Sequence, residues 1–180
     1  APLAGGYRKI PVAQIGADVF CDTRTITQQI AELSGNPRLT LDGVSEEERA
    51  FVREADLTLF LACILSSTSL KLNLKLFRHF SLRSLLRFFR DRIQIGRTSS
   101  VPRMGLREAR YRVCEHLSEM ESRLKGNPWL FGDAPSIADF SAYHGLWFLT
   151  DVAESALVKD YPAVEEWMQR IRSFGHGHSI

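Results

Sequence analysis

The stretch Pro135–Phe140 constrains the fold of this 180-residue chain most strongly. A serine followed three residues later by an acid, inside an apolar run, predicts a capping box at the start of a helix. We expect Ser136 to accept a hydrogen bond from the amide of Asp139, whose carboxylate reaches back to the amide of Ser136. In a buried helix these bonds satisfy donors that otherwise cost about 1–3 kcal/mol each. We interpret the motif as structural and not as a binding site.

Helical patterns fill the chain after residue 44. Ser45 and Glu48 form a second capping-box pattern at the start of a helix that continues to Ile64. Residues 106–124 carry an apolar stripe at helical spacing, and Gly126 ends it. Pro162 suits the first position of a last helix. The apolar face of that helix is predicted to contain Val164, Trp167, Met168 and Ile171.

The first 44 residues follow a different pattern. Residues 8–21 alternate loosely around a turn that contains Gly16, which predicts a β-hairpin. A helix from Thr23 to Leu33 follows, with Gly35 and Pro37 to stop it. Residues 36–44 are the best candidate for a linker. The sequence therefore predicts a mainly α fold, in which an all-helical domain over residues 45–174 follows a β-hairpin and helix over residues 1–35, and residues 175–180 form a tail.

Composition excludes several classes of function. The net charge of +2 does not require a nucleic-acid partner, and no run of 18 apolar residues predicts a membrane span. Cys21, Cys63 and Cys114 form no C-x-x-C pair, so we expect buried, reduced thiols in a cytoplasmic protein. His176 and His178 supply too few ligands for a closed zinc site, so no bound metal is expected.

Two neighbouring pairs of residues could bind a small molecule on the hairpin. Asp22 and Thr23 lie where the second strand leads into a helix, where Thr23 can cap the helix and Asp22 adds negative charge. Plain capping explains this pair. Alternatively, Asp22 binds a ligand ammonium, while Thr23 and the helix amides bind its carboxylate. A cis peptide bond between Ile10 and Pro11 would turn the backbone of Ile10 toward the same ligand.

These segments resemble a known family. Lys9–Gln14 and Val19–Ile26 are similar to the second half of the thioredoxin-like domain of glutathione transferases. Asn127–Phe140 and Asp160–Ile171 resemble two helices of that family's C-terminal domain. The resemblance implies that Ile10 and the cis Pro11 pair with the cysteinyl unit of glutathione. It also implies that Asp22 and Thr23 hold the γ-glutamyl end.

The start of the chain departs from the family's pattern. Family members carry strands and helices before the cis-proline, with the Tyr, Ser or Cys that acts on the thiol, whereas nine residues precede Ile10 here. We therefore expect the natural protein to be longer, and we leave the catalytic residue unassigned. Tyr7 is a nearby phenol, but we do not expect it to replace the residue that acts on the thiol.

The resemblance implies a cytoplasmic, homodimeric glutathione transferase with glutathione as co-substrate and a small electrophile or peroxide as partner. Membrane and nucleic-acid partners are not expected. Two alternatives stay open, since a fold alone does not determine activity. The first is a non-catalytic interaction module on the same fold. The second is a surface-associating protein that uses residues 71–92, part of a run from Leu57 to Arg107 with ten basic residues and one acid. If that run instead lines the cleft, hydrophobic substrates with negative charge are expected. Its basic residues change from one helical face to another along the run, which predicts a break in the helix near Ser81.

Overall fold

The computed structural model describes residues 5, 7, 11–67, 78, 81, 83–87, 90 and 104–175. An antiparallel hairpin of β1 (Val12–Ile15) and β2 (Asp18–Cys21) is followed by helix α1 (Thr23–Ser34). The remaining elements are helical, which confirms the mainly α prediction. They are helices α2 (Glu46–Glu54), α3 (Phe60–Ser66), α4 (Leu106–Leu124), α5 (Ile137–Trp147) and α6 (Pro162–Arg172), π-helical segments Ala55–Leu59 and Phe148–Val152, and 3-10 turns Pro37–Leu39 and Leu157–Asp160.

The hairpin forms where the alternation predicts it. Val12 pairs with Cys21 and Ile15 pairs with Asp18, so a two-residue turn joins the strands. Gly16 occupies that turn with φ of +60°, a backbone conformation that glycine adopts without steric cost. Helix α1 ends at Gly35, which has φ of +66° as a left-handed cap, as predicted.

The linker is held against the helices by two arginines. The Arg38 Nη2 donates to the Phe131 carbonyl at 3.0 Å and to the Glu48 carboxylate at 3.3 Å. The Arg49 Nε donates to the Leu41 carbonyl at 2.7 Å. Gly43 packs so closely that a Cβ atom there would collide with the Pro37 carbonyl group. These contacts attach the linker, which follows α1, to α2 and to the loop at Phe131.

Helices α2 and α3 form one continuous rod with a π-helical segment between them. Ser45 and Glu48 make both bonds of the predicted capping box, at 3.2 Å each. The π-helical segment buries Ala55 and Leu59, whereas the side chain of Leu57 is 61% exposed. A π-helical turn contains an extra residue, so it changes which side chains face each neighbour.

The hydrophobic core lies among the five helices α2 to α6. Helix α3 packs against α4 and α5, and α6 packs against α4. The predicted stripe of α4 is buried from Ala109 onward, but Leu106 at its start is 62% exposed. The predicted face of α6 is buried in full, at Val164, Trp167, Met168 and Ile171.

One buried carboxylate joins three parts of this core. Asp139 Oδ2 accepts from the Ser136 amide at 2.9 Å, which confirms the predicted capping box. Asp139 Oδ1 accepts from the Leu130 amide at 3.0 Å and from the Trp167 indole Nε1 at 2.8 Å. Burial raises the pKa of Asp139, and the hydrogen bonds from Leu130, Ser136 and Trp167 oppose that shift.

Some expectations about side chains are wrong or incomplete. Cys63 is buried, and burial raises the pKa of its thiol to about 12, but Cys21 and Cys114 are partly exposed. All three are free thiols.

Residue 78 and residues 83–87 are helical and Ser81 is not, in agreement with a helix break there. None of the described helices combines the length and apolar character that crossing a membrane requires.

Asp139→Ala should lower the free energy of unfolding by about 3 kcal/mol or more, because three N–H donors lose their buried acceptor. Urea denaturation followed by circular dichroism measures the change. The control is Asp133→Ala, since Asp133 is exposed on the preceding loop and its loss should change stability by less than about 0.5 kcal/mol. Equal stability of the two variants would contradict the structural role of Asp139.

A second buried polar group makes stability depend on pH. His116 on α4 is 6% exposed, and its ring stacks on Phe51 with centroids 4.9 Å apart. Its Nε2 is buried and has no hydrogen-bond partner within the described part of the chain. Burial lowers the pKa of His116, and the neighbouring Glu119 and Glu54 carboxylates oppose the shift.

The fold should therefore lose stability as the pH falls through 6.5, the ordinary pKa of histidine. The unfolded chain takes up a proton there, whereas folded His116 does so at lower pH. The raised pKa values of Asp139 and Asp56 have the opposite effect on stability at lower pH. Both the wild type and His116→Phe contain these groups, so their contribution cancels when the two proteins are compared. His116→Phe should lose less stability than the wild type between pH 7.5 and 5.5, measured by urea denaturation. An equal loss of stability in His116→Phe and in the wild type over this range would contradict the role of His116.

Candidate functional site

A cleft of about 390 Å³ opens between the start of α1, the linker and the helices α2 and α5. Its size falls in the range of about 300–1,000 Å³ that is typical of small-molecule sites. Both Asp22 and Thr23 line it, so the structure places these two predicted site residues together. The other lining residues are Arg24, Thr27, Gln28, Thr40, Leu41, Asp42, Val52, Asp56, Ile137 and Ser141.

Asp22, and not Thr23, caps α1. Asp22 Oδ1 accepts from the Arg24 amide at 2.9 Å, and Thr23 is the first residue of the helix. The expectation that Thr23 caps is therefore wrong, because the helix begins one residue earlier than that assignment requires. Asp22 has φ of +83° and ψ of 134°, a positive-φ backbone conformation that is strained for a residue other than glycine. Such strain in a residue that lines a cleft is a common feature of binding sites.

The start of α1 combines acceptors and donors in the cleft. Asp22 uses one carboxylate oxygen for the cap, which leaves Oδ2 outside that bond. Thr23 presents an exposed side chain at the same end of a 12-residue helix. Backbone amides and the helix dipole at such an end favour an anionic group. The arrangement can therefore bind one positive and one negative group side by side.

The Ile10–Pro11 step is only partly described. Pro11 lies directly before β1 and is exposed. Ile10 lies outside the described residues, so its backbone pairing with a ligand stays a prediction. Neither residue belongs to the described lining of the cleft.

The far wall of the cleft contains a carboxylate that the sequence patterns did not single out. Asp56 lies on the π-helical segment, opposite α1, and Ser141 lies beside it on α5. Partial burial raises the pKa of Asp56, while a hydrogen bond with Ser141 and the charge of His144 oppose the shift. The sequence signal that could have identified Asp56 is its position as an acidic residue within the apolar helix of residues 51–64.

Tyr7 lies within electrostatic reach of Asp22. Desolvation raises the pKa of the Tyr7 phenol, and the charges of Asp22 and Cys21 raise it further. The hydroxyl therefore stays protonated at neutral pH and can donate a hydrogen bond. Tyr7 is not among the described residues that line the cleft.

The other sequence features contribute little to the described site. Arg78, Arg83, Arg87 and Arg90 are exposed, and the rest of the basic run at residues 71–92 lies largely outside the described residues. His176 and His178 also lie outside them. Within the described ranges no group of three His, Cys, Asp or Glu side chains is placed to bind a metal ion.

Comparison with known proteins bears on the fold of the chain and on its helical domain. Residues 103–170 match the family of the glutathione S-transferase C-terminal domain. The fold is similar to that of a GST-like protein from Pseudomonas syringae, with a TM-score of 0.66 and 30% sequence identity. The similarity covers 97% of this chain and 53% of that one, so the chain spans about half the length of its structural relative. No curated protein matches the chain.

The fold and its cleft thus define a helical domain preceded by a hairpin and a helix. Residues 103–170 belong to the family of glutathione S-transferase C-terminal domains, and the chain as a whole has a GST-like fold.

Proposed function

We propose that this protein binds glutathione in the cleft at the start of α1 and transfers it to an electrophilic small molecule. The observation that carries the proposal is the shared position of Asp22 and Thr23 at a helix N-terminus that opens into a cleft of about 390 Å³. The γ-glutamyl end of glutathione has an ammonium and a carboxylate on one carbon. These groups match the paired acceptor and donors of the site.

Each end of the γ-glutamyl group has a proposed partner. The Asp22 oxygen that does not cap the helix accepts from the ammonium. The Thr23 hydroxyl and the amides of the first turn of α1 donate to the carboxylate. Because Asp22 is already held by its bond to the Arg24 amide, little side-chain freedom is lost on binding. Ile10 and Pro11 are proposed to hold the cysteinyl unit through the Ile10 backbone.

The proposed reaction is displacement by the glutathione thiolate. The sulfur lone pair forms a bond to the electrophilic carbon as the bond from that carbon to its leaving group breaks, and the leaving group departs with the electron pair. The thiol proton passes to solvent, since the thiolate is the nucleophile. With a peroxide, the sulfur forms a bond to one oxygen as the O–O bond breaks, and the other oxygen leaves and takes up a proton. A second glutathione thiol then displaces the sulfur-bound oxygen as water, which gives glutathione disulfide. The residue that lowers the thiol pKa is not assigned.

The wider organisation is proposed on the same basis. Residues 1–35 are proposed as part of a thioredoxin-like glutathione-binding domain, residues 36–44 as a linker and residues 45–174 as the helical domain. The free thiols agree with a cytoplasmic protein. A homodimer is proposed from the family resemblance.

Asp22→Asn should weaken glutathione binding by about tenfold or more, because a hydrogen bond to a charged group contributes about 1.5–3 kcal/mol. Asparagine caps helices as well as aspartate does and has the same shape, so α1 should keep its stability. Thr23→Ala should also weaken binding. Isothermal titration calorimetry with reduced glutathione measures both effects.

Thr25→Ala is the matched control, since Thr25 is exposed on α1 and outside the described lining of the cleft. It should keep the wild-type affinity. Unchanged affinity in both Asp22→Asn and Thr23→Ala would show that the ligand binds elsewhere. If the wild-type protein passes over immobilised glutathione without retention, the proposed binding is wrong and the interaction-module alternative is favoured.

A further inference from the structure

A second concave surface, separate from the cleft, lies between the rod of α2 and α3 and helix α4. Two pockets of about 200 and 190 Å³ adjoin there, and both are lined by Glu54, Thr58 and Arg112. We call the two pockets together the acidic groove. None of the residues that line it also lines the cleft at Asp22. Because the two pockets share residues, one elongated ligand can occupy both.

Carboxylates line the acidic groove along its length. Three of them, those of Glu108, Glu115 and Glu119, lie on α4, and that of Glu54 lies at the end of α2. The helical rise of 1.5 Å per residue places Glu115 about 10 Å and Glu119 about 16 Å from Glu108 along the helix axis. The chain as a whole has a net charge of +2, so the negative charge of the groove is local.

Two of these carboxylates are available to a ligand. Arginines already lie beside the other two, at 3.6 Å from Glu115 and at 3.0 Å from Glu119. Glu54 and Glu108 are exposed and form no ion pair with any residue in the described ranges. A cation that enters the groove therefore meets two carboxylates that it does not have to take from an arginine.

The wall of the groove also contains an imidazole with an unused nitrogen. His116 lines the groove and is 6% exposed, and its buried Nε2 has no hydrogen-bond partner in the part of the chain that the structure describes. A buried polar atom destabilises a fold unless something supplies its missing bond. Burial lowers the pKa of His116, so at neutral pH the ring does not repel a cation and one ring nitrogen can accept from an N–H donor. A small turn of the ring about the Cβ–Cγ bond, which is a broad torsion, brings that nitrogen to a ligand in the groove.

Apolar side chains separate the carboxylates at the Glu108 end of the groove. Leu57, Leu61 and Met104 line this end, and Leu57 is 61% exposed. Carboxylates that alternate with apolar surface match a chain of ammonium groups joined by methylene groups. The methylene groups remove apolar surface from water, and each ammonium donates to a carboxylate.

We propose that the acidic groove binds a linear aliphatic polyamine of the spermidine type. One terminal ammonium donates to Glu108, the methylene chain lies on Leu57, and the inner ammonium donates to Glu54. The other terminal ammonium lies between Glu119 and His116 and supplies the bond that the imidazole lacks. The site is independent of the proposed glutathione function, since the groove and the cleft share no lining residue.

Isothermal titration calorimetry with spermidine at fixed ionic strength tests the proposal. The wild type should bind one spermidine per chain. The double variant Glu54→Gln with Glu108→Gln should bind it about tenfold more weakly, because an exposed charge pair contributes up to about fivefold in affinity and two pairs are lost. His116→Phe keeps a ring against Phe51 but loses the nitrogen, and it should weaken binding about threefold or more.

The matched control is the double variant Glu165→Gln with Glu166→Gln. It removes the same two charges from exposed positions on α6, outside the groove, and should keep the wild-type affinity. Magnesium chloride at the concentration of spermidine, with ionic strength held constant, should change the affinity by less than about twofold. Equal weakening in the α6 variant, or displacement of spermidine by magnesium, would assign the binding to general attraction of cations and overturn the proposal.

The remaining outcomes are equally decisive. No binding of spermidine by the wild type overturns the proposal, and so does unchanged affinity in both the Glu54 and Glu108 double variant and His116→Phe. Circular dichroism shows whether each variant is folded. If His116→Phe does not fold, the double variant still decides, since both of its changes are at exposed positions. The groove variants should keep the wild-type behaviour toward glutathione, so a failure of glutathione binding leaves this proposal standing and the reverse also holds.

Discussion

The buried carboxylate of Asp139 is the interaction on which the rest of the helical structure depends. It holds the start of α5, the loop at Leu130 and the indole of Trp167 on α6 at one point. A buried carboxylate is costly unless several donors satisfy it, and this site supplies three from separate parts of the chain. Because only one relative arrangement of these segments provides all three bonds, the network favours a single packing. Helix α5, which forms one wall of the cleft, starts from that point.

The parts of the fold that local chemistry determines could be predicted from the sequence. Both capping boxes, the left-handed end of α1 at Gly35 and the buried face of α6 depend on residues within a few positions of each other. The exposure of Leu106 and Leu57 could not be predicted, because apolar periodicity does not show how far a neighbouring helix extends. The π-helical segment was missed for a related reason, since its residues form ordinary helix in most contexts.

For the candidate site, the sequence identified one wall. Asp22 and Thr23 follow from the transition between strand and helix, although the cap proved to be Asp22. The other wall depends on contacts between residues that are far apart in the sequence: Asp56 and Ser141 are on different helices and meet α1 only through the folded linker. No local pattern encodes that meeting. The acid within an apolar helix was a signal, but it did not indicate which surface the side chain would face.

The linker forms one side of the cleft and is attached to the helices. Arg38 and Arg49 attach it to the loop at Phe131 and to α2, and Gly43 fits against Pro37 with no space for a side chain. Any larger residue at position 43 would force its Cβ atom against the Pro37 carbonyl group, so the backbone there would have to shift. A glycine that makes no proposed ligand contact therefore limits what this side of the cleft tolerates, and library designs for the cleft should leave position 43 unchanged.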